Sequence, residues 1–245
     1  MIYIIISALK IIFLLGFLIF IHEAGHFVVA KLCKVKVNEF ALGFGPTIWK
    51  KQTKETKYAI RLIPLGGFVS MEGEEELSDK DGSFSKASIP KRIAIVAAGA
   101  IVNIVFGLLV YFILVLAVYG DINLALQATG GLILSLGESI KMIFTGQVGV
   151  NDLSGPVGIS GVVVQTTNFV NYMYILAVIS VSLGVTNLLP IPALDGGKIL
   201  ILLIEAIRRK PLKQETEIQI QLIGFSIIIG LSLYVTYNDV LKIFG

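Results

Sequence analysis

Four stretches of this chain are apolar over enough residues to cross a lipid bilayer, and that limits the fold more than any motif does. A spanning helix needs about 20 mostly apolar residues. The stretches run from Met1 to about Leu32, Ile93 to Tyr119, Tyr172 to Ile207 and Ile218 to Tyr237. The apolar run of the first is too long for a secretory leader, and no small-residue cleavage site follows it. The third is interrupted by Pro190, Pro192 and Gly196-Gly197. Composition agrees: of 245 residues 55% are hydrophobic and 15% charged, against roughly 25% charged in a soluble domain. So few charges could not cover a water-soluble globule. A net charge of +3 gives no reason to expect nucleic acid as a partner, and the single Cys33 excludes an internal disulfide framework or a multi-cysteine zinc site.

Charge distribution supplies an orientation. Of 20 Lys and Arg, 11 lie between Lys34 and Arg92, and Arg208, Arg209, Lys210 and Lys213 form a second cluster. The stretch from Gly120 to Asn171 carries only Lys141. Positive loops mark the cytoplasmic side, so both basic loops are expected inside and both termini outside. The acidic run from Glu72 to Asp81 reads as a solvated loop. Val35 to Trp49 and Tyr58 to Val69 are rich in β-branched and aromatic residues punctuated by Gly43, Gly45, Pro46, Pro64, Gly66 and Gly67, which predicts a small sheet or hairpin pair. Leu124 to Phe144 is moderately amphipathic and is expected to lie as a helix at the outer interface, because a fifth span would put the Arg208 loop outside.

The strongest chemical signal is His22-Glu23-Ala24-Gly25-His26. A spacing of four places both imidazoles on one helix face, where they can share a metal, with Glu23 beside them to take a proton from water. Inside an apolar span each ionisable group costs about 2.5–3.5 kcal/mol or more, and a bound cation is the simplest compensation. Lys31 follows His22 by nine residues, about 13 Å of helix, so the site lies within the hydrocarbon toward the cytoplasmic face. A catalytic zinc site needs a third protein ligand and an open position. His22 and His26 are the only histidines, so the third must be Asp, Glu or Cys. Cys33 is one candidate, near the helix end. Asp195 fits better: Pro190 and Pro192 break the third block before it, and irregular backbone at membrane depth is tolerated where it lines a cavity or is buried. The competing reading is that Asp195 only caps the helix that resumes there.

These residues resemble the site-2 protease family of intramembrane zinc metalloproteases, most closely its bacterial regulator-of-sigma branch. The likeness covers nearly the whole chain. It rests on the His-Glu-x-x-His helix, on Leu194-Asp195-Gly196 after Asn187 and two prolines, and on Gly43-Phe44-Gly45-Pro46, Ile63-Pro64-Leu65-Gly66-Gly67, Ala98-Gly99-Ala100-Ile101-Val102-Asn103 and Leu153-Ser154-Gly155-Pro156-Val157-Gly158. The resemblance implies a mainly α, polytopic membrane protein of about four transmembrane helices, with a membrane re-entrant β element after the first and an interfacial helix before the third. It implies Zn2+ held by His22, His26 and Asp195, Glu23 as general base, and Asn187 beside the site. It makes Gly43, Gly45, Ile60, Leu62 and Pro190 substrate-binding candidates, and Gly99 and Asn103 markers of a second core helix. The substrates it implies are single-span membrane proteins or peptides, cut within the bilayer of a bacterial inner membrane.

The expected segments are 1–33 as the first span, 34–72 as the β element, 73–92 as a cytoplasmic loop and 93–119 as the second span. An outer loop follows over 120–171, then spans over 172–207 and 218–238. One departure stands out. Regulator-of-sigma proteases carry one or two PDZ domains of roughly 80–100 residues each after the second span, whereas here four residues separate Tyr119 from Leu124. The chain is either a naturally minimal member or one from which that domain was removed; flanks resembling PDZ-bearing members favour removal. The rival functional class is an intramembrane metal-ion transporter or sensor, which would string polar groups along the membrane normal.

Overall fold

The computed structural model describes all residues except 1, 75, 77, 148, 150–154 and 245; Glu75 of the acidic run and Leu153-Ser154 of the Gly-Pro motif therefore lie outside the described residues. The elements in order are α1 (Ile2–Leu32), β1 (Val37–Gln52), β2 (Lys57–Met71), α2 (Ile89–Tyr119), α3 (Ile122–Phe144), α4 (Pro156–Val164), α5 (Phe169–Asn187), α6 (Asp195–Arg208) and α7 (Gln214–Phe244). Among the described residues four helices are long and apolar enough to cross a membrane: α1, α2, α5 and α7. The expected third span is therefore two elements. The chain leaves helical geometry at Leu188–Leu194 and restarts at Asp195, so α5 alone spans. Among the described residues α3 is not one of the helices long and apolar enough to cross.

Local chemistry sets the helix ends. Pro90 sits in the first turn of α2, where its missing N–H is not needed. Gly120, at φ +69, closes that helix with its N–H on Leu116 O. Asp121 Oδ1 then accepts from the N–H groups of Asn123 and Leu124 and starts α3.

The chain divides into two compact units. One comprises 12–104 and 183–225, the other 1–11, 105–182 and 226–245. In the second unit α4 has a distant cap. Asp239, buried on α7, accepts from the backbone N–H groups of Gly155 and Gly158 at 2.9 and 2.8 Å. A Cβ at residue 155 would stand 2.9 Å from that carboxylate oxygen, which explains the glycine in the Gly-Pro motif.

In the first unit β1 and β2 form a long antiparallel hairpin, from Gln52↔Lys57 at its turn to Val37↔Met71 at its base. A second set of partners, Glu39↔Lys57 through Leu42↔Ile60, rises in number together. The hairpin is thus folded back on itself, and its turn half lies beside the base half of β1. The fold falls where Gly43 and Gly45 (φ +83 and +84) lie against Ile63 and Gly66 (φ +121) lies against Phe44. The ribbon order is 67–71, 39–42, 57–60, 47–52, so Ile60 has partners on both sides, Leu42 and Trp49. The sheet runs along α1. Pro64 O lies 3.3 Å from a Cβ built at Gly16, Phe27 stacks edge-on against Phe40 and Tyr58, and Lys31 pairs with Glu55 at 2.8 Å. Gly16 to Lys31 is about 22 Å of helix. A buried cluster of Ala30, Val35, Val37, Met71, Phe84, Ile95, Val96 and Leu202 locks the sheet's base to α1, α2 and α6. Cys33 packs against this cluster.

Asp239→Ala should strand two backbone N–H groups, at about 1–3 kcal/mol for each buried group left unpaired. The thermal unfolding midpoint in detergent should fall by several degrees, with Asp239→Asn intermediate; equal midpoints for wild type and Asp239→Ala would show that the cap contributes nothing.

Candidate metal centre and active site

Helical spacing brings His22 and His26 together with rings edge to face, centroids 4.8 Å apart, and their Nε2 atoms at 3.2 Å. Asp195, the first residue of α6, places Oδ2 3.2 Å from His22 Nε2 and 3.5 Å from His26 Nε2. Zinc bonds of about 2.0–2.1 Å in tetrahedral geometry set neighbouring donors about 3.3 Å apart, and the three atoms match that edge length. Asp195 Oδ2 is enclosed, and among the described residues no hydrogen-bond donor satisfies it beyond the imidazoles it faces. A buried carboxylate oxygen and two imidazole nitrogens aimed at one point are a donor set for a divalent cation. These residues form the described group able to hold a metal; Cys33 is not part of it. The N-cap position of α6 is Leu194, so Asp195 stands inside the first turn rather than at the cap.

The supporting shell fixes the rings. His26 Nδ1 lies 2.8 Å from Ile95 O and donates to it, which turns Nε2 toward the centre. Asn103, fully buried, has its amide nitrogen 3.5 Å from His22 Nδ1. Were His22 to ligate a metal through Nε2, its Nδ1 would carry the proton, and the Asn103 amide oxygen would be the group able to accept it. Sequence reasoning gave Asn103 only a packing role. Gly99 does more than permit helix packing: a Cβ there would fall 2.4 Å from His26 Nε2 and 2.9 Å from His22 Cε1. Across the same crossing a Cβ at Gly25 would meet Ala98 O at 2.7 Å. Two glycines let α1 and α2 touch and leave space for two imidazoles.

The start of α6 is equally constrained. Cβ atoms at Gly196 and Gly197 would collide with the carbonyl oxygens of Leu189 and Ile191. Ala193 adopts φ +74, and its N–H is held by Gln221 Oε1 at 3.2 Å. The Leu188–Leu194 segment thus crosses tightly over the helix start and holds Asp195 in place.

A cavity of about 220 Å³ is lined by His22, Glu23, His26, Gly67, Phe68 and Asp195, among others. A larger one of about 910 Å³ is lined by Phe68, Val69, Ser70, Asp195, Lys198 and Gln221, among others. Glu23 faces the first, and a Cβ at Gly67 would meet its Cγ at 3.0 Å. Two ion pairs stiffen the walls. Lys198 binds Glu74 at 2.7 Å, and Arg92 binds the buried Glu205 at 2.9 Å. Glu205 also accepts from the Leu212 N–H.

The other sequence candidates lie elsewhere. Asn187 ends α5 and is half-buried, Pro190 is exposed, and neither is among the described lining residues of the two cavities. The same holds for Gly43, Gly45, Ile60 and Leu62. The strand that shares the smaller cavity with His22, His26 and Asp195 is Gly67–Met71, the outermost ribbon, with no partner strand on its far side among the described residues. Its signal in the sequence was only the Gly66-Gly67 pair.

Residues 10–231 match the profile of Peptidase family M50. The chain belongs to peptidase family M50. A protein of Clostridium acetobutylicum whose name proposes it as a zinc metalloprotease is 31% identical, covering 92% of this chain and 94% of that protein. Zinc metalloprotease RasP of Bacillus licheniformis is 23% identical over 97% of this chain and 99% of its own length. RasP of Shouchella clausii reaches 42% over a shorter match, 45% of this chain. This M50 member is an intramembrane zinc metalloprotease of the site-2 type, and the transporter or sensor alternative is not favoured. The Clostridium alignment runs over 320 positions, 75 more than the 245 residues here. That relative therefore carries sequence without a counterpart in this chain, in keeping with the absent PDZ region.

Gly99→Ala should drive a methyl group into both imidazoles. Zinc per purified chain should fall to a small fraction of wild type, whereas Gly130→Ala, with no atom within 4 Å of its Cβ, should leave it unchanged. Full zinc occupancy in Gly99→Ala would refute this account of the glycine.

Proposed function

We propose that His22, His26 and Asp195 hold the zinc ion, that Glu23 is the general base, and that the substrate is a membrane-spanning segment laid in extended form along the Gly67–Met71 edge. The observation that carries the reading is the convergence of three donor atoms within 3.2–3.5 Å of one another, with Glu23 lining the same small cavity.

Zinc in this site supplies Lewis acidity, polarising a carbonyl and making water a stronger acid near neutral pH. The protein residues do the rest. Glu23 accepts the proton of the attacking water and delivers it to the leaving amine. Ile95 O and Asn103 keep both imidazole rings oriented through the cycle. The substrate must unwind locally, because a helix shelters its amides in internal hydrogen bonds. An open strand edge replaces those bonds by strand addition. Glu72 N–H donates to Lys36 O. By alternation Ser70 and Phe68 also point their N–H groups toward β1, and Val69 points outward. The larger cavity beside this edge gives water a route to the centre.

On the positive-inside argument we place the site toward the cytoplasmic side of a bacterial cell membrane, with both termini outside. We also place the missing PDZ region between α2 and α3, where only Gly120 and Asp121 connect the helices. Substrate filtering by such a domain is then absent here. Single-span proteins or signal-peptide remnants already trimmed on the outer side are the substrates this reading favours.

Glu23→Gln should bind zinc at wild-type stoichiometry and lose nearly all cleavage of a single-span peptide in detergent. Asp195→Ala should lose both, and Cys33→Ala neither. Near-wild-type cleavage by Glu23→Gln at equal zinc content would move the base elsewhere.

Proline at Val69 removes an outward N–H and should cut cleavage severalfold with zinc retained. Proline at Ile60, a residue paired on both sides, should instead damage folding, with zinc and activity lost together. If Val69→Pro cleaves normally, the edge does not receive substrate.

A further inference from the structure

The folded-back half of the β element is not absorbed by the catalytic reading. Ile48, Trp49, Ile60 and Leu62 are 64%, 50%, 44% and 60% exposed. Trp49 and Ile60 are register partners and so share a face; Leu62, two residues on, continues it. None of these side chains lines either cavity.

Depth along α1 orders this surface. The fold at Pro64 lies beside Gly16, and the turn at Thr53–Thr56 is tied back to Lys31 by Glu55. Gly16 lies within the apolar stretch of α1 and Lys31 at its charged end. The exposed apolar residues therefore stand between the hydrocarbon level and the interface. Lys50, Lys51 and Lys54 stand at the interface end, all exposed and in no ion pair among the described residues. Their neighbours Lys57 and Arg61 are both engaged by Glu39, at 3.0 and 2.9 Å. Three uncommitted ammonium groups next to an apolar, tryptophan-bearing face match the chemistry of an anionic phospholipid: acyl chains against the face, phosphate against the lysines.

We propose that the outer half of the β element, centred on Trp49 with Lys50, Lys51 and Lys54, is a binding surface selective for anionic phospholipid. The binding is separate from proteolysis.

The chain holds one tryptophan, so its emission reports this face alone. The full protein is reconstituted in vesicles in which a fixed fraction of lipid is brominated on the acyl chains, either phosphatidylglycerol or phosphatidylcholine. Brominated phosphatidylglycerol should quench Trp49 more strongly at equal fraction, reflecting a relative affinity of about fivefold or more, since each lysine near an anionic surface contributes roughly that factor. The triple variant Lys50→Gln, Lys51→Gln, Lys54→Gln, verified by zinc content, should quench equally with both lipids. Equal quenching of the wild type by the two lipids overturns charge selection. Absence of quenching by either overturns lipid contact altogether. Quenching that grows on dilution of protein in lipid means that a second copy covers the face, and also overturns the proposal. Retained preference in the triple variant removes the lysines from the site. Because none of these readouts uses cleavage, they stand or fall independently of the protease assignment.

Discussion

Placing two imidazoles and a carboxylate at one point inside an apolar span is costly unless a cation compensates them, and much of the first compact unit is arranged around that condition. The donor atoms must converge to a few ångströms although they come from helices that begin nearly two hundred residues apart in sequence. Convergence is achieved by removing side chains. Gly25 and Gly99 let α1 and α2 meet with room for both rings, and Gly196 and Gly197 let the Leu188–Leu194 backbone cross the start of α6. Each glycine gives up a side chain's own packing so that a more valuable contact can form. In a membrane, where helix association depends on close packing rather than on exclusion of water, such contacts also hold the helices together.

The parts of this design that were legible in the sequence are those written in local spacing. His22, Glu23 and His26 declare themselves by a four-residue interval in an apolar run. Asp195 follows by elimination and by the prolines before it. The four spanning helices needed only length and composition. What was not legible depends on pairing between distant segments. The β residues 35–69 could be recognised as strand, but not that the hairpin doubles back. That fold gives Ile60, a substrate-binding candidate by resemblance, partners on both sides, and leaves Gly67–Met71 beside the cavity of His22, His26 and Asp195. Alternation and turn residues fix the faces of a strand; its neighbours are fixed by register, which one sequence does not display. The contact of Asn103 with His22 was hidden for a similar reason: it spans 81 positions. Asp195 was open to a capping role because cap and ligand occupy the same place in the chain, and only the third dimension distinguishes them.

The walls around the site are held by charge as well as by glycine. Lys198 stands three residues after Asp195 and binds Glu74, just beyond the end of β2. Arg92 at the start of α2 binds Glu205 on α6. Both cations also lie over the Phe84 ring at 5.1 Å. Sheet edge, metal helix and second helix are thus tied at one level by a compact, partly buried set of ion pairs. Removing one partner of such a pair leaves a charge without compensation, so the cavity walls are harder to displace than their irregular backbone suggests.

The separation of the donors in sequence has a consequence for biosynthesis. The ribosome delivers His22, Glu23 and His26 first, Gly99 later, and Asp195 only after the spans α1, α2 and α5. Until that residue arrives, a nascent chain holds two imidazoles without their carboxylate and cannot complete the ligand set. On the proposed ligand set, a nascent chain therefore stays inert while its first three spans are made, because α1, α2 and α5 all precede Asp195.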